Sequence, residues 1–130
     1  MSTIKTHRDL DVWKKSVLLV TTVYEVTKGF PKEEIYGITN QIRRSAVSVP
    51  SNIAEGSARQ GNKEYVQFLY ISLGSLTELE TQLIIARNLE YLSENDFDSL
   101  MGNLTEIGKM IIGLIKYIKK QINLKLVNRN

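Results

Sequence analysis

Cysteine is absent from this chain, and histidine and tryptophan each occur once in its 130 residues. Without cysteine there is no disulfide, no thiolate metal site and no thiol nucleophile, a composition that suits a cytoplasmic protein. The lone histidine, His7, falls in a polar stretch over residues 1–8 that reads as a frayed arm, with His7 solvated. One histidine outside the helices rules out the Glu-x-x-His pairs of a di-iron bundle and the arginine–histidine pair of a helical ribonuclease. Residues 1–9 hold no apolar run of signal-peptide length, and Met110-Ile111-Ile112 stops at Gly113, far short of a bilayer span. No membrane association is expected. Period-two alternation is missing, so no strand is predicted. The segment from Glu55 to Gly61 has neither the spacing of a phosphate-binding loop nor a preceding strand. Glu78 and Glu80 stand two apart on a helix and diverge, a poor acid–base pair. The reading is therefore of a non-enzymatic protein with no catalytic residue, no cofactor and no metal.

What the chain does have is helical periodicity. Prolines occur only at positions 31 and 50, which permits long helices. Leu10, Trp13, Val17, Val20 and Tyr24 recur at alternating spacings of three and four, and Asp9 or Asp11 suits the start of that helix. Lys28 and Gly29 read as its stop. A second stripe, Ile35, Ile38, Ile42, Ser45 or Ala46, Val49 and Ile53, runs through Pro50. It predicts one helix kinked there, because proline cannot donate to the carbonyl of Ala46, a loss of ~3 kcal/mol in a helix interior. Ser48, Ser51 and Asn52 are the side chains expected to help satisfy that carbonyl, and Gly56 and Gly61 to mark the frayed end and turn. Asn62 is the expected cap of the third helix, whose seam is Tyr65, Leu69, Ser72, Leu76, Leu79, Leu83 and Ala86. Ser93 with Asp96 resembles a capping box opening the fourth, with Phe97, Leu100, Leu104, Ile107, Ile111, Leu114 and Ile118 as its stripe. Gly102, Gly108 and Gly113 read as points of close helix approach. The prediction is an all-α, antiparallel up-down four-helix bundle, left-handed, in a single domain over 1–130, with helices at about 9–28, 34–58, 62–90 and 94–122 and a loose polar tail.

Charge is unevenly spread. Residues 107–130 carry six Lys/Arg and no acid, whereas residues 64–106 carry eight acids against one arginine. Up-down topology gathers Lys5, Arg8, Lys14, Lys15, Arg59, Lys63, Lys116, Lys119, Lys120, Lys125 and Arg129 at one end of the bundle. Glu33, Glu34, Glu90, Glu94, Asp96 and Asp98 gather at the other, against Lys28 and Lys32. A basic end of this kind attracts phosphate backbones. No helix-turn-helix, RRM or KH signature is present, so binding is expected to be led by the backbone rather than by bases. The candidate nucleic-acid-binding residues are Arg43, Arg44, Arg59, Lys63, Lys116, Lys119 and Lys120. Arg43 and Arg44 lie mid-bundle, where Glu78, Glu80 or a neighbouring subunit would pair with them.

The run from Ile42-Arg43-Arg44 through Pro50-Ser51-Asn52-Ile53-Ala54-Glu55-Gly56 is distinctive. With Asp9-Leu10-Asp11-Val12-Trp13, Tyr65-x-x-Phe68-Leu69 and Gly74-Ser75-Leu76-x-Glu78-Leu79-Glu80, it resembles a bacterial four-helix-bundle family over roughly residues 9–120. That family includes proteins encoded in intervening sequences of 23S ribosomal RNA genes. The resemblance implies a homopentameric ring of bundles. A related branch, the accessory variability determinant of diversity-generating retroelements, is a basic pentamer that binds nucleic acid and a reverse transcriptase. The expected function is an oligomeric bundle that binds structured RNA or DNA through its basic end. The alternative is an adaptor for a nucleic-acid enzyme, with the charges used in subunit contacts.

Overall fold

The computed structural model describes residues 6, 7 and 10–128. Lys5, Arg8, Asp9 and Arg129 lie outside them. Four helices account for nearly all of the described chain: α1, Asp11–Thr27; α2, Ile38–Ser57; α3, Asn62–Asn88; and α4, Glu94–Asn128, with a short 3-10 turn at Lys32–Glu34. Among the described residues there is no strand. Each helix packs on its two neighbours in the order α1, α2, α3, α4 and back to α1, while the diagonal pairs make no backbone approach. Contacts run antiparallel: Gly56 meets Phe68 and Ser48 meets Ser75 between α2 and α3, and Lys119 meets Tyr70 between α3 and α4. This is a four-helix bundle.

The core follows the predicted stripes in α3 and α4 and departs from them in α1. Leu69, Ser72, Leu76, Leu79, Leu83 and Ala86 are buried, as are Phe97, Leu100, Leu104, Ile107, Ile111 and Ile118, with Ile115 buried in place of Leu114. In α1 the buried residues are Val12, Ser16, Leu19, Val23 and Thr27, while Val17 and Tyr24 of the expected stripe are exposed. Hydroxyls explain the shift. Ser16 Oγ donates to the Val12 carbonyl at 2.7 Å and Thr27 Oγ1 to that of Val23 at 2.8 Å, so both enter the core already satisfied. His7 is not simply solvated either: its ring stands edge-on to Trp13, centroids 5.0 Å apart.

The α2–α3 contact is the most extensive in the bundle, and small residues make it so. A methyl group built on Gly56 would lie 2.7 Å from Phe68 Cβ, 3.0 Å from Tyr65 Cδ1 and 3.2 Å from the Tyr65 carbonyl. Gly56 is thus buried inside α2, a point of close approach and not a frayed end. Burial there pushes the Tyr65 phenol above its ordinary value. Pro50 sits within α2 without ending it. The polar bonds near it do not go to the Ala46 carbonyl, as expected, but to its neighbours. Ser72 Oγ donates to the Val49 carbonyl at 2.9 Å, and Asn52 Nδ2 donates to the Ser48 carbonyl at 2.8 Å and to Ser48 Oγ at 2.9 Å. A helical side chain reaches back over the preceding turn, so Asn52 finds residue 48 and not residue 46.

Gly102 and Gly113, in contrast, meet nothing within 4 Å, and Gly108 touches only Leu76 Cδ1 at 3.9 Å. The close approach expected at α4 is therefore not made within this chain. The helix starts also differ in detail. Gly61, not Asn62, is the cap position of α3, and no side chain caps it. At α4 the Asp96 amide donates to Ser93 Oγ at 3.1 Å, one half of the expected box. Just beyond the end of α3 stands Glu90, at φ 64°, the only non-glycine residue with positive φ among the described residues. The Tyr91 amide donates to the Ala86 carbonyl at 2.9 Å, the six-to-one bond of a Schellman turn. Finally, α4 does not stop at Ile122. No glycine or proline follows Gly113, and Lys125 in the last turn complements the carbonyl end, so the helix continues to Asn128.

Two substitutions test this account of the backbone. Gly56→Ala is expected to destabilise the protein by about 1–3 kcal/mol through overpacking, whereas Gly102→Ala, in open space, should stabilise it by about 0.5–1 kcal/mol. Urea unfolding of both variants checks the contrast. Glu90→Gly should also stabilise, by about 1 kcal/mol, because only the β-carbon makes the left-handed conformation unfavourable.

Candidate nucleic-acid interface

The structure divides the seven predicted contact residues between two places. Lys63 lies in the first turn of α3, Arg59 just beyond the end of α2, and Lys116, Lys119 and Lys120 on the last third of α4. Antiparallel packing brings these to one end of the bundle. A shallow groove of about 300 Å³ opens there, lined by Gln60, Asn62, Lys63, Glu64, Ile122 and Lys125. Lys125 was not among the predicted contacts. The sequence places it at this end of the bundle, and the continuation of α4 past Ile122 brings it to the groove.

The cations of this end are not equally available. Arg59 donates to Glu55 Oε1 at 2.7 Å, one turn earlier, and its guanidinium lies over the Phe68 ring at 4.8 Å from the centroid. Lys15 is paired with Glu106 across the α1–α4 contact. Lys119 Nζ donates to the Tyr70 hydroxyl at 2.8 Å, which holds the ammonium against α3 while leaving its charge unneutralised. Among the described residues, Lys63, Lys116, Lys120 and Lys125 have no acidic partner within salt-bridge distance. Lys116 and Lys120, four residues apart on α4, share one exposed face. The end of the bundle therefore presents unneutralised ammonium groups, Lys63 and Lys125 at the groove beside Glu64 and the others on α4, with Arg59 already engaged.

Arg43 and Arg44 stand apart from that end. Arg43 Nε donates to Thr27 Oγ1 at 2.9 Å, and the guanidinium lies 4.6 Å from the centroid of the Tyr24 ring. It packs on α1, not on Glu78 or Glu80 as expected from its neighbours in sequence register. The reason is geometric: α2 turns Arg43 toward α1 and its successor toward α3. Arg44 lines a polar groove with Ser48, Glu78 and Gln82, without closing to an ion pair with Glu78. Among the described residues no cluster of His, Asp or Glu could hold a metal ion, and no helix is long and apolar enough to cross a membrane.

A model built on the 23S rRNA-intervening sequence proteins matches residues 8–113 of the chain. The chain belongs to that family. The distinctive run from Arg43 to Gly56 lies inside the matched span of this intervening sequence protein, and so do Arg59 and Lys63. Lys116, Lys119, Lys120 and Lys125 lie beyond it. Among solved structures, the chain is similar to a crystal structure of a protein with unknown function from the S23 ribosomal protein family of Bacteroides thetaiotaomicron. That match has a TM-score of 0.75 at 27% identity and covers 81% of this chain and 98% of the other. No curated protein matches the chain.

Proposed function

We propose that this member of the 23S rRNA-intervening sequence family is a non-enzymatic, cytoplasmic helical bundle that assembles with copies of itself. In this reading it forms a ring of five and binds the phosphate backbone of structured RNA, or other nucleic acid, through the lysine-rich end. The observation that carries the reading is the set Lys63, Lys116, Lys120 and Lys125, four ammonium groups without an acidic partner, of which Lys63 and Lys125 line the groove and Lys116 and Lys120 lie on the exposed face of α4. Each phosphate neutralised releases condensed counterions, so affinity comes from charge and falls with salt. Base stacking has little support: of the aromatic residues near this end, Tyr117 is 61% exposed and the others are engaged. Trp13 and Tyr65 pack against the core, and Tyr70 is engaged by Lys119.

A second reading, an adaptor for a nucleic-acid enzyme, draws on a different surface. Val17, Leu18 and Tyr24 expose an apolar stripe along α1, with Leu18 66% exposed, and Gly102 and Gly113 leave open space on α4. Apolar surface of this kind serves contact between protein chains better than contact with phosphates.

A Lys116→Glu, Lys119→Glu, Lys120→Glu variant separates the two. Nucleic-acid binding at this end predicts loss of the RNA complex in a gel-shift assay with native mass unchanged. Single Lys→Gln changes at 116 and 120 should each lower the slope of log affinity against log salt by about 0.7–0.9. RNA binding by the triple variant equal to that of the wild type would exclude the lysine end.

A further inference from the structure

The end of the bundle opposite the lysine groove carries net acidic sequence, yet one pocket in it is lined only by cations, hydroxyls and apolar groups. It lies between the end of α1, the loop over residues 28–35 and the start of α2, has a volume of about 350 Å³, and admits Lys28, Lys32, Arg43 and Thr39 from its polar side. No carboxylate lines it. We propose that this pocket binds a phosphoryl group, as inorganic phosphate or as a small phosphate monoester.

Three features converge. Thr39 is 1% exposed, and its hydroxyl has no hydrogen-bond partner. A buried hydroxyl left unpaired costs about 1–3 kcal/mol, and most helical threonines avoid this by bonding to the preceding turn, as Thr27 does. Thr39 does not, which leaves its O–H free to donate to a ligand oxygen. Arg43 is held in place by two contacts that spare its terminal nitrogens: Nε donates to Thr27 Oγ1, and the plane rests on Tyr24. Its terminal N–H groups have no acceptor among the described residues. The start of α2 adds to this. Gly37 is its cap position, with no side-chain cap and no acid in the first turn, so the leading amides are unsatisfied.

The charge count fits a dianion. Lys28 is offset by Glu25 at 3.2 Å, which leaves Arg43 and Lys32 without acidic partners. A phosphate monoester carries between one and two negative charges at neutral pH and has three terminal oxygens for these donors. Glu34 is the acid closest to the start of α2, its Oε1 3.0 Å from where a β-carbon of Gly37 would stand. It does not line the pocket; it lies near Tyr91, whose phenol is pushed above its ordinary value by burial and by the Glu34 and Glu33 carboxylates. Pro31 and Ile35 supply an apolar wall beside the cations, where the organic part of an ester would rest.

Thr39→Val provides the test. In buffer without phosphate the variant should be as stable as the wild type or more so, because an unpaired buried hydroxyl is removed. Inorganic phosphate and phenyl phosphate are then titrated into each protein by calorimetry, with chloride at matched ionic strength as control. The wild type is expected to bind phosphate, and Thr39→Val and the exposed Lys32→Gln each to bind it at least tenfold more weakly. Tighter binding of phenyl phosphate than of inorganic phosphate assigns the pocket to an ester; the reverse assigns it to the free anion. Equal affinity of Thr39→Val and wild type, or no heat beyond the chloride control, would overturn the proposal.

Discussion

Everything in this bundle is arranged around the closeness of α2 to α3. Backbones can approach only where side chains are small, and α2 supplies Ser45, Ser48 and Gly56 along the facing side, met by Ser72 and Ser75 of α3. At that separation hydroxyls reach across the contact: Ser72 bonds to a carbonyl of α2, and Ser48 and Ser75 lie 2.8 Å apart. The same bonds surround the place where Pro50 interrupts the helical ladder. The proline is tolerated because the helix there is held by a neighbour instead of by its own turn alone. The run from Arg43 to Gly56 is thus chiefly a prescription for packing, with Arg43 as the member that leaves the interface and works on α1.

How much of this was legible in the sequence depends on which side chains carried the signal. In α3 and α4 the core is made of leucine, isoleucine and phenylalanine at regular spacing, and the stripe could be read directly. In α1 two of five buried positions are Ser16 and Thr27. Their hydroxyls bond to the preceding turn, so they behave as apolar residues in the fold while counting as polar in any periodicity. A competing stripe of true hydrophobics pointed one position round the helix, to the margin of the core, where Leu10, Trp13 and Val20 are partly buried and Val17 and Tyr24 are exposed. Glycines misled in both directions. Gly56 resembles a helix stop and is a contact point; Gly102 and Gly113 resemble contact points and face open space. Nothing local distinguishes the two cases, because the difference lies in what the other helix brings.

The same limit applies to charge. Adding Lys and Arg along the chain located the basic end, but not the partners that neutralise part of it. Glu55 takes up Arg59 and Glu106 takes up Lys15, contacts that depend on rotamer and on a neighbouring helix. Conversely, the acidic end conceals Arg43, Lys32 and Lys28 around an acid-free pocket, which no window average over residues 25–45 would reveal. Net charge by segment is a statement about long-range attraction. A site depends on which charges remain unpaired at a given place.

The length of α4 has a kinetic meaning of its own. At 35 residues it spans roughly 52 Å, against roughly 40 Å for the 27 residues of α3. In its final turns Leu124, Leu126 and Val127 are about half exposed or more. Those turns bury little apolar surface, so they open and reclose by local fraying without involving the core. Their amides would exchange with solvent far sooner than those around Ile107 and Ile111. The rigid and the adaptable parts of the molecule are successive stretches of one helix, and Lys116, Lys119 and Lys120 sit where the first gives way to the second.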